Sequence, residues 1–250
     1  MIGIIGYGMV GKAVAHGFPN CTQIISDPAY NTTTIKDVCD ANPEAIFVCV
    51  PTPTDDSDYA LLKGVLHELD LTDYQGLVVV KSTVLPHHLE GFDVLYNPEF
   101  LSRATALKDF TNPPLLVLGG DPVKTQHLHE IYKKYSIVET DNVFHTDIKT
   151  ASLLKYSFNT YYALKVTFMN GIYDIAQEIG VDYNELTSMM KVNPWIGGLS
   201  HLQVPGPDGA RGYGGPCLPK DTKALARQFD FELLKKVDEL NTNKYRGNIE

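Results

Sequence analysis

The sequence predicts an α/β fold: an N-terminal Rossmann-like, doubly wound parallel sheet followed by a helical domain with a long central helix. Three observations predict it. Short, fully apolar runs alternate with helical patterns through the first half, which is how a parallel sheet covered on both faces reads. A glycine fingerprint, Gly6-x-Gly8-x-x-Gly11, sits between the first apolar run and the first helical pattern. No proline interrupts residues 149–179, whose pattern reads as one helix.

In order, Ile2–Ile5 reads as a strand stopped by Gly6, and residues 10–18 read as a helix. Gln23–Ser26 reads as a second strand, ending at Asp27. Residues 46–50 form an apolar run halted by Pro51-Thr52-Pro53, because proline cannot continue a ladder of strand hydrogen bonds. Residues 61–69 have helical period, and residues 77–81 and 115–118 read as buried strands. The character changes between Thr146 and Asp147. Residues 1–146 are expected to form a dinucleotide-binding domain and residues 147–250 a helical domain that carries a cysteine loop and mediates dimerisation. After the long helix come a short helix at Tyr183–Met190, a loop rich in glycine and proline at 192–216, and a helix at 219–229. A last amphipathic stretch places Phe231, Leu233, Leu234, Val237 and Leu240 on one side.

Composition excludes several classes of function. The 250 residues hold 21 Lys+Arg against 30 Asp+Glu, a formal charge of −9, with 44% hydrophobic and 20% charged residues. That balance describes a globular chain and argues against a nucleic-acid surface. No apolar stretch approaches the ~18–20 residues that a membrane span needs, and the N-terminus lacks the basic region and cleavage site of a signal peptide. The four cysteines form no CxxC, so a reducing cytoplasm fits best. The eight histidines show no metal-ligand spacing, and no metal is expected.

The three fingerprint glycines serve different ends. Gly6 permits the tight turn, Gly8 lets the backbone approach a pyrophosphate, and Gly11 allows close helix–strand packing. The amides at the start of the following helix favour phosphate. Asp27 lies 21 residues after Gly6, at the second strand's end, where a carboxylate accepts from a ribose 2′-OH and repels a 2′-phosphate. The expected cofactor is NAD.

The densest constellation is Gly212-Tyr213-Gly214-Gly215-Pro216-Cys217-Leu218-Pro219-Lys220-Asp221. Pro219 suits a helix's first turn, which places Cys217 at a helix N-terminus near Lys220; both features favour the reactive thiolate. Cys21, Cys39 and Cys49 read instead as structural thiols, the usual fate of a buried cysteine. Lys155 and Asn159 are four apart on the long helix and share a face. Such a pair can steady an oxyanion, although on its own it is more often a solvated surface.

With these residues the chain resembles the UDP-glucose/GDP-mannose dehydrogenase family, and most of all its UDP-glucose 6-dehydrogenases. The resemblance is carried by the fingerprint with Asp27, by Val50-Pro51-Thr52-Pro53-Thr54, Lys81-Ser82-Thr83-Val84 and Asn97-Pro98-Glu99-Phe100-Leu101, and by Lys155-Tyr156-x-x-Asn159, Val204-Pro205-Gly206-Pro207-Asp208-Gly209 and the Cys217 loop, in that order. It implies oxidation of a sugar C6 alcohol to a carboxylate by two hydride transfers to NAD, in a cytoplasmic homodimer serving polysaccharide biosynthesis. It makes Cys217 the nucleophile, capturing the aldehyde as a thiohemiacetal and carrying the thioester. Lys155 and Asn159 stabilise oxyanions, Asp221 and Thr83 hold a water, and Glu99 assists hydrolysis. The resemblance places the cofactor against Gly6, Tyr7, Gly8, Met9, Val10, Gly11, Asp27, Pro51, Thr52, Thr83 and Lys220. It places the UDP-sugar against Phe100, Leu101, Lys155, Asn159, Tyr213 and Gly214.

Three features depart from the family pattern. Arg103 follows Leu101-Ser102 where an acid is usual, and Trp195 precedes Ile196-Gly197 where an arginine is usual. No strand–helix alternation follows residue 240, where the family's UDP-binding domain is expected. Two other readings therefore stand beside the first: a two-electron dehydrogenase of a smaller hydroxy substrate, which needs no Cys217, and a non-catalytic NAD-binding remnant.

Overall fold

The computed structural model describes residues 1–52, 59–194, 196 and 201–246. The chain divides into two compact units, one reaching Lys155 and the other beginning at Tyr156.

The first unit is built on a seven-stranded sheet. Its elements run β1 (Ile2–Ile5), α1 (Met9–Gly17), β2 (Gln23–Ser26), α2 (Ile35–Asp40), β3 (Ala45–Val48), α3 (Ala60–Asp70) and β4 (Leu77–Val80). They continue with β5 (Leu95–Tyr96), α4 (Ala106–Thr111), β6 (Leu116–Gly119), α5 (Pro122–Tyr135) and β7 (Val143–Thr146). The strand order is β2-β1-β3-β4-β5-β6-β7. The register is tight: Ile2 lies opposite both Gln23 and Ala45, and Val48 opposite Val80. One pairing departs from the expected parallel sheet, since β5 meets β6 antiparallel at Tyr96 and Gly119.

Successive strand residues face opposite sides of the sheet, so each fully apolar strand feeds two cores. Ile46 and Val48 pack with Val65, Leu66 and Val80, while Ala45 and Phe47 pack with Val14, Phe18, Leu118 and Leu128. Five of these elements lie beyond the sequence reading. Helix α2 starts with a capping box between Thr34 and Asp37, and α5 starts at Asp121, whose carboxylate accepts from Val123 and Lys124 amides, with Pro122 in the first turn. Strand β5 is two residues long, α4 buries only Phe110, and β7 is exposed at Phe144 and His145, so none shows a clear period.

The second unit takes up α6 (Ile148–Ile179) from Tyr156 onward, then α7 (Tyr183–Met190), α8 (Leu218–Gln228), α9 (Glu232–Leu240) and a π-helical turn at Asn241–Tyr245. Met169, Ala176, Tyr183, Leu202 and Val204 form one core cluster, and Ala163, Tyr213 and Val237 another. The apolar stripe on α9 is split: Leu234 and Val237 are buried inside the unit, while Phe231 and Leu233 are exposed. Among the described residues no helix is long and apolar enough to cross a membrane.

Candidate active site

In the first unit the glycine turn fits a dinucleotide. Gly6 has φ +89°, and a Cβ there would stand 2.9 Å from the Cys49 carbonyl. A Cβ on Gly11 would meet the Gly6 carbonyl oxygen at 2.0 Å, so no side chain is admissible. At Gly8 a Cβ would meet nothing within 4 Å, which leaves an open cradle in front of the backbone. Helix α1 begins there with no side-chain cap and no acid in its first turn, so its leading amides suit a phosphate. Asp27 is held in place, Oδ2 accepting from the Tyr7 amide at 2.6 Å and Oδ1 from the Ala29 amide at 2.8 Å. Met9 is exposed and Val10 half-buried at the helix start; Pro51 is exposed, and Thr52 and Thr83 are half-buried, beyond the ends of β3 and β4. Ser82 Oγ donates to the Val50 carbonyl at 2.6 Å and ties those two strand ends together. Pro53 and Thr54 lie outside the described residues.

Glu99 and Lys155 meet in the same unit. Lys155 Nζ donates to Glu99 Oε1 at 3.0 Å and to the Glu99 carbonyl at 2.6 Å, and Glu99 Oε2 accepts from the Leu101 amide at 2.7 Å. The Lys155 ammonium also lies 5.6 Å from the centroid of the Phe100 ring. Arg103 is exposed, so its charge is solvated, and Trp195 lies outside the described residues.

The sequence did not assign the group that anchors this turn. Buried Lys81 donates to the Asn97 carbonyl at 3.0 Å and to Asn97 Oδ1 at 2.8 Å; Oδ1 also accepts from Tyr132 at 2.6 Å, and Asn97 Nδ2 donates to the Val117 carbonyl at 2.8 Å. Asn97 thus locks β4, β6 and α5 around the residue that leads into Pro98-Glu99. Burial pushes the Lys81 ammonium down to about 8 from its ordinary 10.5, with Glu99 opposing the shift and Lys155 adding to it. Below pH 8 both folded and unfolded chains hold this proton, and the fold carries the cost of a buried charge. Between about 8 and 10.5 only the unfolded chain holds it, so stability rises with pH across that window. The full effect is on the order of 3 kcal/mol. Urea unfolding of wild type and Lys81→Met at several pH values checks this: the difference between the two curves should change through the window, and parallel curves would count against it.

In the second unit Cys217 opens α8, and its carbonyl accepts the first helical hydrogen bond from Asp221 at 2.9 Å. Pro219 stands in the first turn, as expected. Asp221 is fully buried and doubly engaged: Lys220 Nζ lies 2.6 Å from Oδ1, and Asn159 Nδ2 donates to Oδ2. Cys217 is half-buried at the edge of this cluster. Burial raises the other three thiols, Cys49 to about 12, as befits structural cysteines. The Tyr213 ring packs within its unit's core beside Ala163 and Val237, and Gly214 is half-buried. The structure therefore brings together Tyr7 with Asp27, Glu99 with Phe100 and Lys155, and Asn159 with Lys220, Asp221 and the Cys217 helix start.

A glycine-turn cradle at the end of a strand in a doubly wound sheet, with Asp27 fixed beside it, defines a dinucleotide-binding domain. Comparison with known proteins gives the family. The profile "UDP-glucose/GDP-mannose dehydrogenase family, NAD binding domain" matches residues 21–136, and that of the same family's central domain matches residues 149–243. The chain belongs to the UDP-glucose/GDP-mannose dehydrogenase family, and its first part is an NAD-binding domain. It is 32% identical over 231 residues to a UDP-glucose 6-dehydrogenase of Rickettsia bellii, with 83% of this chain and 51% of that protein covered. It is also 32% identical over 214 residues to a GDP-mannose 6-dehydrogenase of Pseudomonas aeruginosa, covering 74% of this chain and 47% of that one. Its fold matches that of a UDP-glucose dehydrogenase from Pyrobaculum islandicum with a TM-score of 0.76, at 24% identity, over 95% of this chain and 67% of that one. The chain spans about half the length of the curated relatives it matches.

Proposed function

We propose that this chain serves the NAD-dependent oxidation of a nucleotide-sugar C6 alcohol to a carboxylate, UDP-glucose to UDP-glucuronate, in the cytoplasm. The supporting observation is Cys217 at the start of α8, with Asp221 held by Lys220 and Asn159 in the first turn behind it. The alcohol loses a hydride to NAD and a proton to solvent, giving an aldehyde. The Cys217 thiolate adds to the aldehyde carbon, and the resulting alkoxide is steadied by Lys155 and Asn159. A second hydride would pass to a second NAD, bound after the first NADH has left, and the adduct carbon becomes the thioester carbonyl. Water held by Asp221 and Thr83 attacks it, Glu99 takes up the water proton, the C–S bond breaks and the thiolate is restored. Covalent capture divides one hard oxidation into two easier steps. NADH release with UDP-glucose, UDP-N-acetylmannosamine and GDP-mannose tests the reading. UDP-glucose should give the highest kcat/KM, and no NADH with any of the three would refute it.

Cofactor choice follows from Asp27. A 2′-phosphate would stand against a carboxylate fixed by two backbone amides. NAD should bind at least about tenfold more tightly than NADP, and Asp27→Ala should narrow the gap. Titration of both cofactors checks this, and equal affinity in the wild type would remove the basis for it.

We also propose a homodimer through the second unit. Tyr161, Phe168 and Ile175 are exposed at seven-residue spacing along α6. Phe168, Ile172 and Ile175 line an apolar groove of about 340 Å³ with Leu233, Val237 and Leu240. Exposed stripes of this kind mark association surfaces. Because Val237 is already buried in its own protomer, the informative substitutions are Phe168→Glu and Leu233→Glu. Sedimentation should show a dimer at micromolar concentration for wild type and a monomer for the pair of substitutions. A monomeric wild type would overturn it.

A further inference from the structure

The glycine loop ahead of Cys217 is held from behind by the last turn described. Asn241, buried, uses both ends of its amide on the backbone of one residue: Oδ1 accepts from the Tyr213 amide at 2.8 Å, and Nδ2 donates to the Tyr213 carbonyl at 3.0 Å. It satisfies the same backbone groups that a neighbouring strand would. On either side of Tyr213 the side chain is absent because this turn fills the space. Gly212 has φ +70°, and its Cβ would stand 2.3 Å from Asn241 Oδ1 and 3.0 Å from Tyr245 Cβ. A Cβ on Gly214 would stand 2.4 Å from one Arg246 Nη and 2.6 Å from Cζ. Arg246 in turn donates to Asp208 Oδ2 at 2.5 Å, so it spans the loop. The opposite side is closed by α6, where Asn170 Oδ1 accepts from the Gly212 amide at 3.1 Å and Arg211 pairs with Asp174 at 2.6 Å.

The loop is therefore not flexible for being glycine-rich: its glycines make room for a latch. We propose that Asn241 and Arg246 are positioning residues for the covalent step, latching the loop at 212–214 so that Cys217 is presented at the start of α8. The proposal rests on Cys217 being the nucleophile. The two residues act through the peptide units leading to Gly215, which has φ +77° and is exposed, and then to Pro216 and Cys217. Released from the latch, that stretch gains backbone freedom, and the thiol loses its fixed place near the positive end of the α8 dipole, which favours its ionised form. The π-helical geometry of Asn241–Tyr245 widens the turn that brings Asn241 and Arg246 to the loop together, and π-turns recur at functional sites.

The test compares the full chain with Asn241→Ala, Asn241→Asp and Arg246→Met. Three properties are measured: hydrogen exchange at the Tyr213 amide, iodoacetamide alkylation of Cys217 followed by peptide mass, and NADH release with UDP-glucose and NAD. The alanine variant should speed exchange at Tyr213 about a hundredfold and slow Cys217 alkylation about fivefold or more. The aspartate variant keeps the acceptor for the Tyr213 amide and loses the donor to its carbonyl, so it should fall between. In the same order kcat should drop, with KM moving less than about twofold. Arg246→Met lies in the last described turn and leaves the core intact, so it decides the matter if the alanine variant does not fold; it should slow alkylation about twofold. Faster exchange at Tyr213 with Cys217 alkylation unchanged or quicker in both Asn241→Ala and Arg246→Met would overturn the latch. A wild type whose Cys217 reacts no faster than a thiol in an unfolded peptide, and which releases no NADH, would instead defeat the nucleophile reading beneath it.

Discussion

Lys155→Met should destabilise the fold by about 3–5 kcal/mol, the cost of stripping the partner from a buried ion pair. The side chains of Lys155 and Glu99 are 4% and 7% exposed, and Lys155 supplies donors to both the carboxylate and the carbonyl of Glu99. With the ammonium gone, the Leu101 amide is the remaining donor to that carboxylate among the described residues. The exposed pair Lys36–Asp40, 2.5 Å apart, sets the scale from the other side: its loss should leave the urea midpoint essentially unmoved, because water replaces the partner. The double variant Lys155→Met with Glu99→Gln should recover part of the loss, since a neutral amide tolerates the site better than an unpaired carboxylate. Urea midpoints of the three proteins measure this. A Lys155→Met protein within about 1 kcal/mol of wild type would mean that Glu99 finds water or another partner and that the pair does not organise the turn.

The uneven weight of these two pairs shows what could be read from the chain and what could not. Strands β1 to β4 were legible because each is a short apolar run next to a breaker, and β6 because Leu116, Val117 and Leu118 are contiguous and buried. Helix α6 was legible for its length without proline. Strand β7 was not, since its middle residues face solvent and apolar period measures burial rather than pairing. The antiparallel meeting of β5 with β6 rests on one bridge and leaves no local trace. At the candidate site, Cys217, Lys220 and Asp221 fall within five consecutive positions, so spacing alone placed them on one helix start. Glu99 and Lys155 are 56 positions apart, and nothing local says that they pair. Lys81, Asn97 and Tyr132 are spread over three elements, so their network became visible only in three dimensions. The sequence places the stripe around α9 on one side, yet Leu234 and Val237 are buried while Phe231 and Leu233 are exposed, because apolar period does not say which residues the neighbouring helices cover.

The other large effect is expected at Cys217. The wild-type chain acting as proposed should yield two NADH per sugar and release an acid, because an alcohol becomes a carboxylate only by losing two hydrides. Cys217→Ser keeps a hydroxyl in nearly the same place, but a hydroxyl is far more weakly ionised than a thiol near neutral pH and leaves less readily when water attacks. The first hydride transfer needs no nucleophile and should persist slowly. The second needs capture of the aldehyde and should fall about a thousandfold or more, roughly 4 kcal/mol of barrier. NADH counted against limiting UDP-glucose, with product mass, then separates the three readings of the sequence. Two NADH in wild type and about one in the variant, with aldehyde as the accumulating species, is the covalent mechanism. A two-electron dehydrogenase gives one NADH per substrate and is indifferent to the substitution. A non-catalytic remnant gives none with either protein. The substitution keeps the helix's first bond, which uses the Cys217 backbone carbonyl, and with it the turn that carries Asp221. Unchanged stoichiometry and rate in Cys217→Ser would end the covalent mechanism for this chain, whatever its relatives do.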